Sequence, residues 1–172
     1  DAMFTRFKLV AETKLGGVND DELLAIVRDG ESVSDPAWAL ESVQVVCGTM
    51  GLPTATVKMI AKDGTAHISC VVGTGPVDAV FKAIDALVRL DVVLTEYRVT
   101  AVTAGINALA ETTVAIKPKE GTEQKVGTSV FKTNLQTGEK GLRTFTATGA
   151  DTDIVVSSAR AYVIALNRMV EY

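Results

Sequence analysis

The residues with the clearest chemical potential form a glycine-rich turn, Val72-Gly73-Thr74-Gly75-Pro76, between a predicted strand and a predicted helix. Pro76 is expected at the first helical position, with Gly75 as the N-cap. The free N–H groups of the first helical turn and the positive end of the helix dipole then favour an anion such as a carboxylate or a phosphate. The spacing is not that of a nucleotide-binding motif. The alternative is a tight turn that needs glycine only for its backbone angles.

A second turn, Gly149-Ala150-Asp151-Thr152-Asp153, precedes the other long predicted helix and offers carboxylates instead. These groups either cap that helix or accept hydrogen bonds from an ammonium group. One turn therefore suits a carboxylate and the other an amine, and apolar side chains are predicted between them. Together the two turns indicate an amino-acid-binding site.

The remaining reactive residue types do not form a catalytic or metal-binding set. His67 is the single histidine, lies mid-strand on the face opposite Ile68 and Cys70, and is expected to be solvated. The acidic run at 19–22 is expected to start a helix rather than to bind a metal. Cys47 and Cys70 fall in apolar strand patterns, which predicts buried thiols in a reducing compartment. A disulfide between neighbouring strands is the alternative.

The composition is that of an ordinary globular protein, with 172 residues, 47% of them hydrophobic, and a net charge of −4. The Lys and Arg residues are scattered, whereas nucleic-acid binding needs a concentrated cationic face. No run approaches the roughly 20 apolar residues of a membrane-spanning helix. We therefore expect no nucleic-acid partner and no membrane association. We also predict no catalytic residue, no metal ligand and no cofactor within this chain.

The sequence contains one pattern twice, namely three runs of alternating apolar residues followed by an amphipathic helix. With a two-residue offset, Lys82-Ala83-Ile84 of the first helix matches Arg160-Ala161-Tyr162 of the second. The sequence predicts an α+β fold of duplicated βββα units related by a pseudo-twofold axis, with one or two antiparallel sheets and two packed helices. In the third run, Ala66, Ile68, Cys70 and Val72 are taken as the apolar face.

The second copy differs from the first in three ways. Its first strand has apolar odd positions at Val93, Val99 and Ala101, so Tyr97 is expected in the core with a partner for its hydroxyl. The stretch 118–141 is predicted to be a mobile hairpin or loop. Its helix is apolar over more of its circumference than the first helix, which indicates a subunit interface.

Residues 1–40 differ from the repeat and are predicted to be a helical connector that ends in a capped turn at Asp35-Pro36-Ala37-Trp38. Trp38 is expected to anchor this connector to the first strand. Residues 41–172 form the repeated domain, with copies at 41–90 and 91–172. The start, Asp1-Ala2-Met3-Phe4, is not typical of a signal peptide or of a natural start, and it predicts a piece of a longer protein.

Three separated segments resemble the C-terminal regulatory domain of 2-isopropylmalate synthase. They are residues 72–79 (Val-Gly-Thr-Gly-Pro-Val-Asp-Ala), 97–105 (Tyr-Arg-Val-Thr-Ala-Val-Thr-Ala-Gly) and 148–168. The resemblance covers residues 40–172, and residues 1–40 resemble the connector to that enzyme's catalytic barrel. Residues 155–162 are most similar to the plant and cyanobacterial branch.

The resemblance implies an allosteric, dimerising domain that gives feedback inhibition by leucine, bound at or near the dimer interface. It implies ligand contacts at Gly73, Thr74, Gly75, Pro76, Val77, Ala79, Leu94, Tyr97, Ala101, Asp153 and Ile154. Thr74 departs from the family members that carry asparagine there. The parent enzyme would be an acyltransferase whose TIM barrel, outside this chain, uses a divalent metal and acetyl-CoA.

Two other functions fit the same pattern. One is the isoleucine-sensing domain of citramalate synthase, which differs in the branching of a bound amino acid; such a difference is worth about 1–3 kcal/mol. The other is a dimerisation module that binds no ligand. The expected location is the plastid stroma for a plant protein and otherwise the cytoplasm.

Overall fold

The computed structural model describes Lys8 and residues 35–103, 105, 108–119, 131–133 and 140–171. The predicted connector helices before residue 35 and most of the predicted insertion at 118–141 lie outside the described residues. In chain order the elements are β1 (Trp38–Val46), β2 (Thr54–Ala61), β3 (Ala66–Val72), α1 (Pro76–Val88), β4 (Val92–Ala101), β5 (Ala110–Pro118), β6 (Phe131–Thr133), β7 (Lys140–Leu142), β8 (Phe145–Asp151) and α2 (Ile154–Glu171).

Two antiparallel three-stranded sheets carry the fold. Their strand orders are β1-β2-β3 and β4-β5-β8. Helix α1 packs against β2 and β3, helix α2 packs against β5 and β8, and the two helices contact each other. The predicted α+β fold of duplicated βββα units is therefore confirmed, with two sheets rather than one. Within the predicted insertion, β6 and β7 pair as a small antiparallel hairpin.

The central strand of each sheet turns one face into the core, as a period of two requires. Ala55, Val57 and Met59 of β2 and Val114 and Ile116 of β5 are fully buried. Burial of a large apolar side chain contributes about 1.5–3 kcal/mol. Both helices and both sheets belong to one cluster of buried residues, so the two units share a single core.

The helices of the two units begin in the same way. The N–H of Ala79 donates to the carbonyl of Gly75, and the N–H of Ser157 donates to the carbonyl of Asp153, both at 2.9 Å. The two bonds are separated along the chain by the same number of residues as Lys82-Ala83-Ile84 and Arg160-Ala161-Tyr162, the matched segments of the two helices. The predicted correspondence of the helices is confirmed.

The first strand of each unit carries a β-bulge, in which one extra residue has no partner on the neighbouring strand. The register shifts lie between Leu40 and Ser42 in β1 and between Leu94 and Glu96 in β4. In β4 the extra residue is Thr95, and it reverses the alternation. Leu94 therefore shares a face with Tyr97, whereas Val93 lies on the opposite face. The prediction that placed Val93 on the Tyr97 face is wrong for this reason.

Strand β3 faces the other way from the prediction. Ser69 lies opposite the buried Val57 in the register, so Ser69 faces the helices. Ile68, Cys70 and Val72 consequently point outward and are exposed. Alternation alone did not decide which face of β3 is buried, because either set of alternating side chains in this run could face the helices.

The prediction of buried thiols is also wrong, since Cys47 and Cys70 are both exposed and free. They belong to opposite edges of the first sheet, with β2 between them, so they are not on neighbouring strands. His67 is exposed as expected, but it lies on the inner face of β3. Its ring meets the Trp38 ring edge-on, with the centroids 5.4 Å apart.

The predicted capped helical turn before the repeat is wrong, because strand β1 already begins at Trp38. The carbonyl of Ala37 accepts a hydrogen bond from the N–H of Lys62 at 3.0 Å, and Trp38 pairs with Ala61. These residues therefore extend the first sheet. The sequence predicted that the repeat starts after residue 40, slightly later than the point at which β1 begins.

Helix α2 joins the two units through Asn167. The Asn167 side chain accepts a hydrogen bond from the Trp38 N–H at 2.9 Å and donates one to the Trp38 carbonyl at 2.7 Å. Ala161 and Val163 are buried within the chain, so much of the apolar surface that indicated a subunit interface is covered by the chain itself. Helix α2 has 18 residues, whereas α1 has 13 and ends at Arg89 in the left-handed region.

A hydrogen bond between the helices lies in a partly desolvated place. The Tyr162 hydroxyl donates to the Asp85 carboxylate at 2.7 Å. Burial raises the pKa of the Asp85 carboxyl above its ordinary value, and the Tyr162 hydroxyl offsets part of that effect. A raised pKa in the folded state means that the stabilising contribution of this group is fully present below its unfolded pKa. That contribution is lost as the pH rises through the folded pKa.

Replacing Asn167 is expected to weaken the fold through the loss of two hydrogen bonds. Asn167→Leu keeps most of the volume but leaves the Trp38 N–H and carbonyl unpaired, so we expect a loss of about 1–3 kcal/mol. Urea unfolding measures this difference, with Gln44→Ala on the exposed side of β1 as the control. Wild-type stability in Asn167→Leu would show that only the volume of this side chain matters.

Asp85→Asn is expected to gain stability relative to the unaltered chain as the pH rises from acid to neutral. The amide avoids the cost of a desolvated charge and still pairs with Tyr162. Asp63→Asn is the matched control with the opposite sign, because hydrogen bonds from Thr65 lower the pKa of Asp63. Unfolding free energies measured between acid and neutral pH test both slopes. Parallel slopes for the two variants would contradict the assignment.

Candidate functional site

The glycine-rich turn opens α1 as the sequence predicted. Gly75 is the N-cap, in extended backbone with φ −157° and ψ 172°, and Pro76 occupies the first turn. Because Gly75 has no side chain to act as a cap, the N–H groups of Val77 and Asp78 are left without an acceptor inside the helix. These groups and the helix dipole make this end of α1 favourable for a negatively charged ligand group.

The polar groups of Thr74 turn toward the helix rather than away from it. Its N–H and hydroxyl donate to the Asp78 carboxylate at 2.8 Å and 3.2 Å. The Lys82 ammonium lies 2.8 Å from the same carboxylate oxygen. The Lys82 ammonium and the Thr74 N–H hold the pKa of the Asp78 carboxyl below its usual value. The acidic residue of this turn is thus balanced by a lysine one helical turn away.

Gly73 and Ala79 of the predicted site form a backbone contact. A Cβ on Gly73 would overlap the backbone and the side chain of Ala79, and Ala79 is fully buried. In the second unit, a Cβ on Gly149 would overlap the carbonyl oxygen of Ser157 and the backbone nitrogen of Ala161. Both turns are therefore held close to their helices by glycine.

The inner face of β4 is the open surface of the second unit. Leu94 is 42% exposed and Tyr97 is 40% exposed. Val99, which the sequence analysis did not assign to the site, extends the same face, and Ala101 lies at its end, opposite Ala110. The core position expected for Tyr97 is wrong: α1 and α2 both pack against β1, whereas neither covers β4 to the same extent, and Tyr97 is left partly open.

Tyr97 connects this face with both helices. Its hydroxyl lies 2.9 Å from the Ser158 hydroxyl of α2, which is the partner that the sequence required without identifying it. Its ring meets the Phe81 ring of α1 edge-on at a centroid distance of 6.0 Å. The signal for Ser158 was present, since Ser157 and Ser158 are adjacent polar residues that follow the apolar start of α2, Ile154-Val155-Val156.

The acidic turn before α2 is largely engaged in the fold. One Asp153 oxygen accepts hydrogen bonds from the N–H groups of Val155 at 2.7 Å and Val156 at 3.4 Å. Asp153 therefore caps α2, which was one of the two roles left open. Asp151 forms an ion pair with Arg160 at 2.8 Å. Ile154, the first residue of the helix, is 50% exposed and lies one turn before Ser158.

The residues of the predicted site thus offer hydrogen-bond donors, an apolar surface and a carboxylate. The donors are backbone N–H groups at the start of α1, the apolar side chains are those of Leu94, Tyr97 and Ile154, and the carboxylate is that of Asp153. Within the described ranges, no group of three or more His, Cys, Asp or Glu residues could hold a metal ion. In the same part of the chain, neither helix has the length and apolar character that crossing a membrane requires.

Alanine substitutions at three glycines distinguish positions where a Cβ would meet packed helix atoms from a position where it would have free space. Gly73→Ala and Gly149→Ala should each destabilise the chain by about 1–3 kcal/mol or more, because the new Cβ meets helix backbone. Gly75→Ala is the control: nothing lies within 4 Å of its Cβ and its backbone is extended. Thermal unfolding of the three variants tests this, and equal losses at all three positions would contradict it.

Comparison with known proteins gives a consistent result across the chain. Residues 17–170 match the family described as the LeuA allosteric (dimerisation) domain. A relative named 2-isopropylmalate synthase B, from Solanum pennellii, is 50% identical over 172 residues, which is 100% of this chain and 27% of that protein. A relative named 2-isopropylmalate synthase 2, chloroplastic, from Arabidopsis thaliana, is 46% identical over 99% of this chain and 26% of its own length.

A bacterial relative extends the similarity beyond plants. The protein named 2-isopropylmalate synthase from Gloeobacter violaceus is 42% identical over 96% of this chain and 27% of its own length. The chain spans about a quarter of the length of these curated relatives. The family match and the relatives cover nearly the same part of this chain. The chain belongs to the family of LeuA allosteric (dimerisation) domains.

Proposed function

We propose that this chain is the leucine-binding regulatory domain of a 2-isopropylmalate synthase. The observation that carries the proposal is the open apolar face of β4, with Leu94 and Tyr97 exposed, in a domain whose α1 begins with uncapped N–H groups. An amino acid with a branched apolar side chain has the groups that such a surface recognises. The names of the relatives and the allosteric family support this assignment.

In this proposal each part of the ligand has its own contact. The carboxylate is held by the N–H groups at the start of α1, next to Gly75, where the helix dipole favours negative charge. The side chain rests on Leu94, Tyr97 and Ile154. The ammonium group is directed toward the acidic start of α2, where Asp153 has a second carboxylate oxygen. Gly73 and Ala79 keep the α1 turn in place, and Thr74, Pro76, Val77 and Ala101 line its edges.

A second copy of the chain completes the site in this proposal. The exposed apolar side chains of β4 are the kind of surface that a subunit interface covers. Leucine bound at or near this interface favours one arrangement of the dimer and its connector. The catalytic barrel of the parent protein is less active in that arrangement, through a coupling free energy of about 1–3 kcal/mol.

The chemistry of the parent enzyme belongs outside this chain. We assign the acyl transfer, the divalent metal and the acetyl-CoA to the parent's catalytic barrel, and no cofactor to this domain. In this proposal the chain is the ligand-operated regulator of that barrel. The plant relative described as chloroplastic and the Gloeobacter relative support a location in the plastid stroma for a plant protein and otherwise in the cytoplasm.

Two alternatives make different predictions for ligand binding. An isoleucine sensor of a citramalate synthase would prefer isoleucine, and a module that only dimerises would bind neither amino acid. The names of the relatives favour leucine. The exposed face of β4 suits dimerisation with or without a ligand, so binding itself is the property to measure.

Leucine is expected to raise the melting temperature of this chain more than isoleucine or valine does. A ligand that binds only the folded state contributes about 2.7 kcal/mol at a hundredfold excess over its Kd. For a domain of this size that corresponds to a shift of roughly 5–10 °C. A larger shift with isoleucine would identify the other sensor. No shift with any of the three amino acids would leave a dimerisation module.

Gly75→Val should abolish the leucine shift while the domain stays folded. Its extended backbone accepts a β-branched residue, and nothing lies within 4 Å of its Cβ, so the new side chain occupies the space in front of the α1 N–H groups. Gly51→Val, also with free space around its Cβ, is the matched control. Leucine binding retained in Gly75→Val would remove the α1 turn from the site.

A further inference from the structure

The hydroxyl of Tyr97 ends on a buried serine. Tyr97 Oη lies 2.9 Å from Ser158 Oγ, and Ser158 is fully buried. Ser158 Oγ in turn lies 2.6 Å from the carbonyl oxygen of Ile154, four residues earlier in α2. The Phe81 ring meets the Tyr97 ring edge-on from the other helix. Both the ring and the hydroxyl of Tyr97 are therefore held by neighbours.

The number of protons fixes the direction of these hydrogen bonds. A backbone carbonyl only accepts, and a serine hydroxyl has a single proton to donate. Ser158 gives that proton to the Ile154 carbonyl, as serines inside helices commonly do. Ser158 Oγ can then only accept from Tyr97. The single phenolic proton of Tyr97 is consequently committed to Ser158, and Tyr97 Oη keeps only lone pairs for any third group.

The start of α1 has the opposite character. Its first-turn N–H groups, at Val77 and Asp78, donate hydrogen bonds, and the Gly75 N-cap has no side chain to accept them. In the proposed site, a ligand between the start of α1 and Tyr97 meets donors on one side and an acceptor on the other. A carboxylate satisfies the donors. Only a group with protons of its own, such as an ammonium, satisfies Tyr97 Oη, because an oxygen acceptor there would face lone pairs.

We propose that Ser158 is a positioning residue that makes Tyr97 an acceptor-only contact, so that the site selects ligands carrying an ammonium group beside the carboxylate. The inference rests on the proposed amino-acid function and adds a reason for its selectivity. An α-keto acid with the same side chain offers Tyr97 only an acceptor and is rejected. Ser158 achieves this from inside the core, without touching the ligand.

The test compares binding of leucine with binding of the α-keto acid that has the leucine side chain. Calorimetry gives both dissociation constants for the unaltered chain, Ser158→Ala and Ser157→Ala. Ser157 is the matched control, because it is equally buried and also donates to the Ile154 carbonyl. Its other contact is Thr112, with 2.7 Å between the hydroxyl oxygens, so its loss leaves the Tyr97 contact in place.

Ser158→Ala frees the Tyr97 proton to serve a ligand, so the preference for leucine over the keto acid should fall by about tenfold or more. Ser157→Ala should leave that ratio unchanged even if both variants melt at a lower temperature. Tyr97→Phe, which lacks the acceptor, should lose the same preference, and it supplies the test if Ser158→Ala does not fold.

The outcomes distinguish a failure of the role assigned to Ser158 from a failure of the proposed leucine site. Leucine binding with a ratio that Ser158→Ala leaves unchanged, or that Ser157→Ala changes equally, overturns the role of Ser158 and leaves the leucine site standing. A keto acid that binds the unaltered chain as tightly as leucine does the same. Absence of leucine binding to the unaltered chain overturns the proposed function and this inference together.

Discussion

The side-chain amide of Asn167 gives Trp38 the donor and the acceptor that a neighbouring strand would otherwise provide. Through this pair the last helix holds the first strand, so that the two units of the repeat close around one core. The rest of the architecture depends on it, because α2 can cover both its own sheet and β1 only while β1 is held there. Helix α1 ends at Val88, with Arg89 as its C-cap in the left-handed region.

The helices cover the first strands of the two units unequally, so that one half of a duplicated fold is closed and the other is open. Leu40 and Val43 of β1 pack against the core, whereas Leu94 and Tyr97, which lie on either side of the corresponding bulge in β4, are exposed. The open surface thus lies on the first strand that the helices cover less, and the residues that line it need no special conformation of their own.

The open surface and the core are joined by aromatic contacts. Phe81 meets Tyr97 edge-on and stacks on Tyr162 at a centroid distance of 4.3 Å. Tyr162 in turn donates to Asp85. A change in the position of Tyr97 therefore acts on the packing between α1 and α2 directly. These contacts are packed side chains of the kind that can carry coupling between a surface site and a helix pair.

Part of this arrangement could be predicted from the sequence, and part could not. The two glycine-containing turns and the alternating runs predicted the duplicated units, because backbone geometry and a period of two are local properties. Gly75 was identified as the cap for the same reason. The face of β3 was predicted wrongly, since Ile68 and Cys70 look like core residues until the register with β2 is known. Thr95 gives no local sign of a bulge, and the exposure of Tyr97 depends on how helices that are distant in sequence pack around β4.

The unequal cover of β1 and β4 by the helices also decides how substitutions distribute across the fold. Residues on the inner face of β1, such as Val43, are covered by α2, and changing them alters packing that the whole chain uses. Residues on the inner face of β4, such as Leu94 and Val99, have solvent beside them, and changes there cost the isolated chain little stability. The duplication has thereby produced one strand that is constrained by folding and one that is free to diverge in what it recognises.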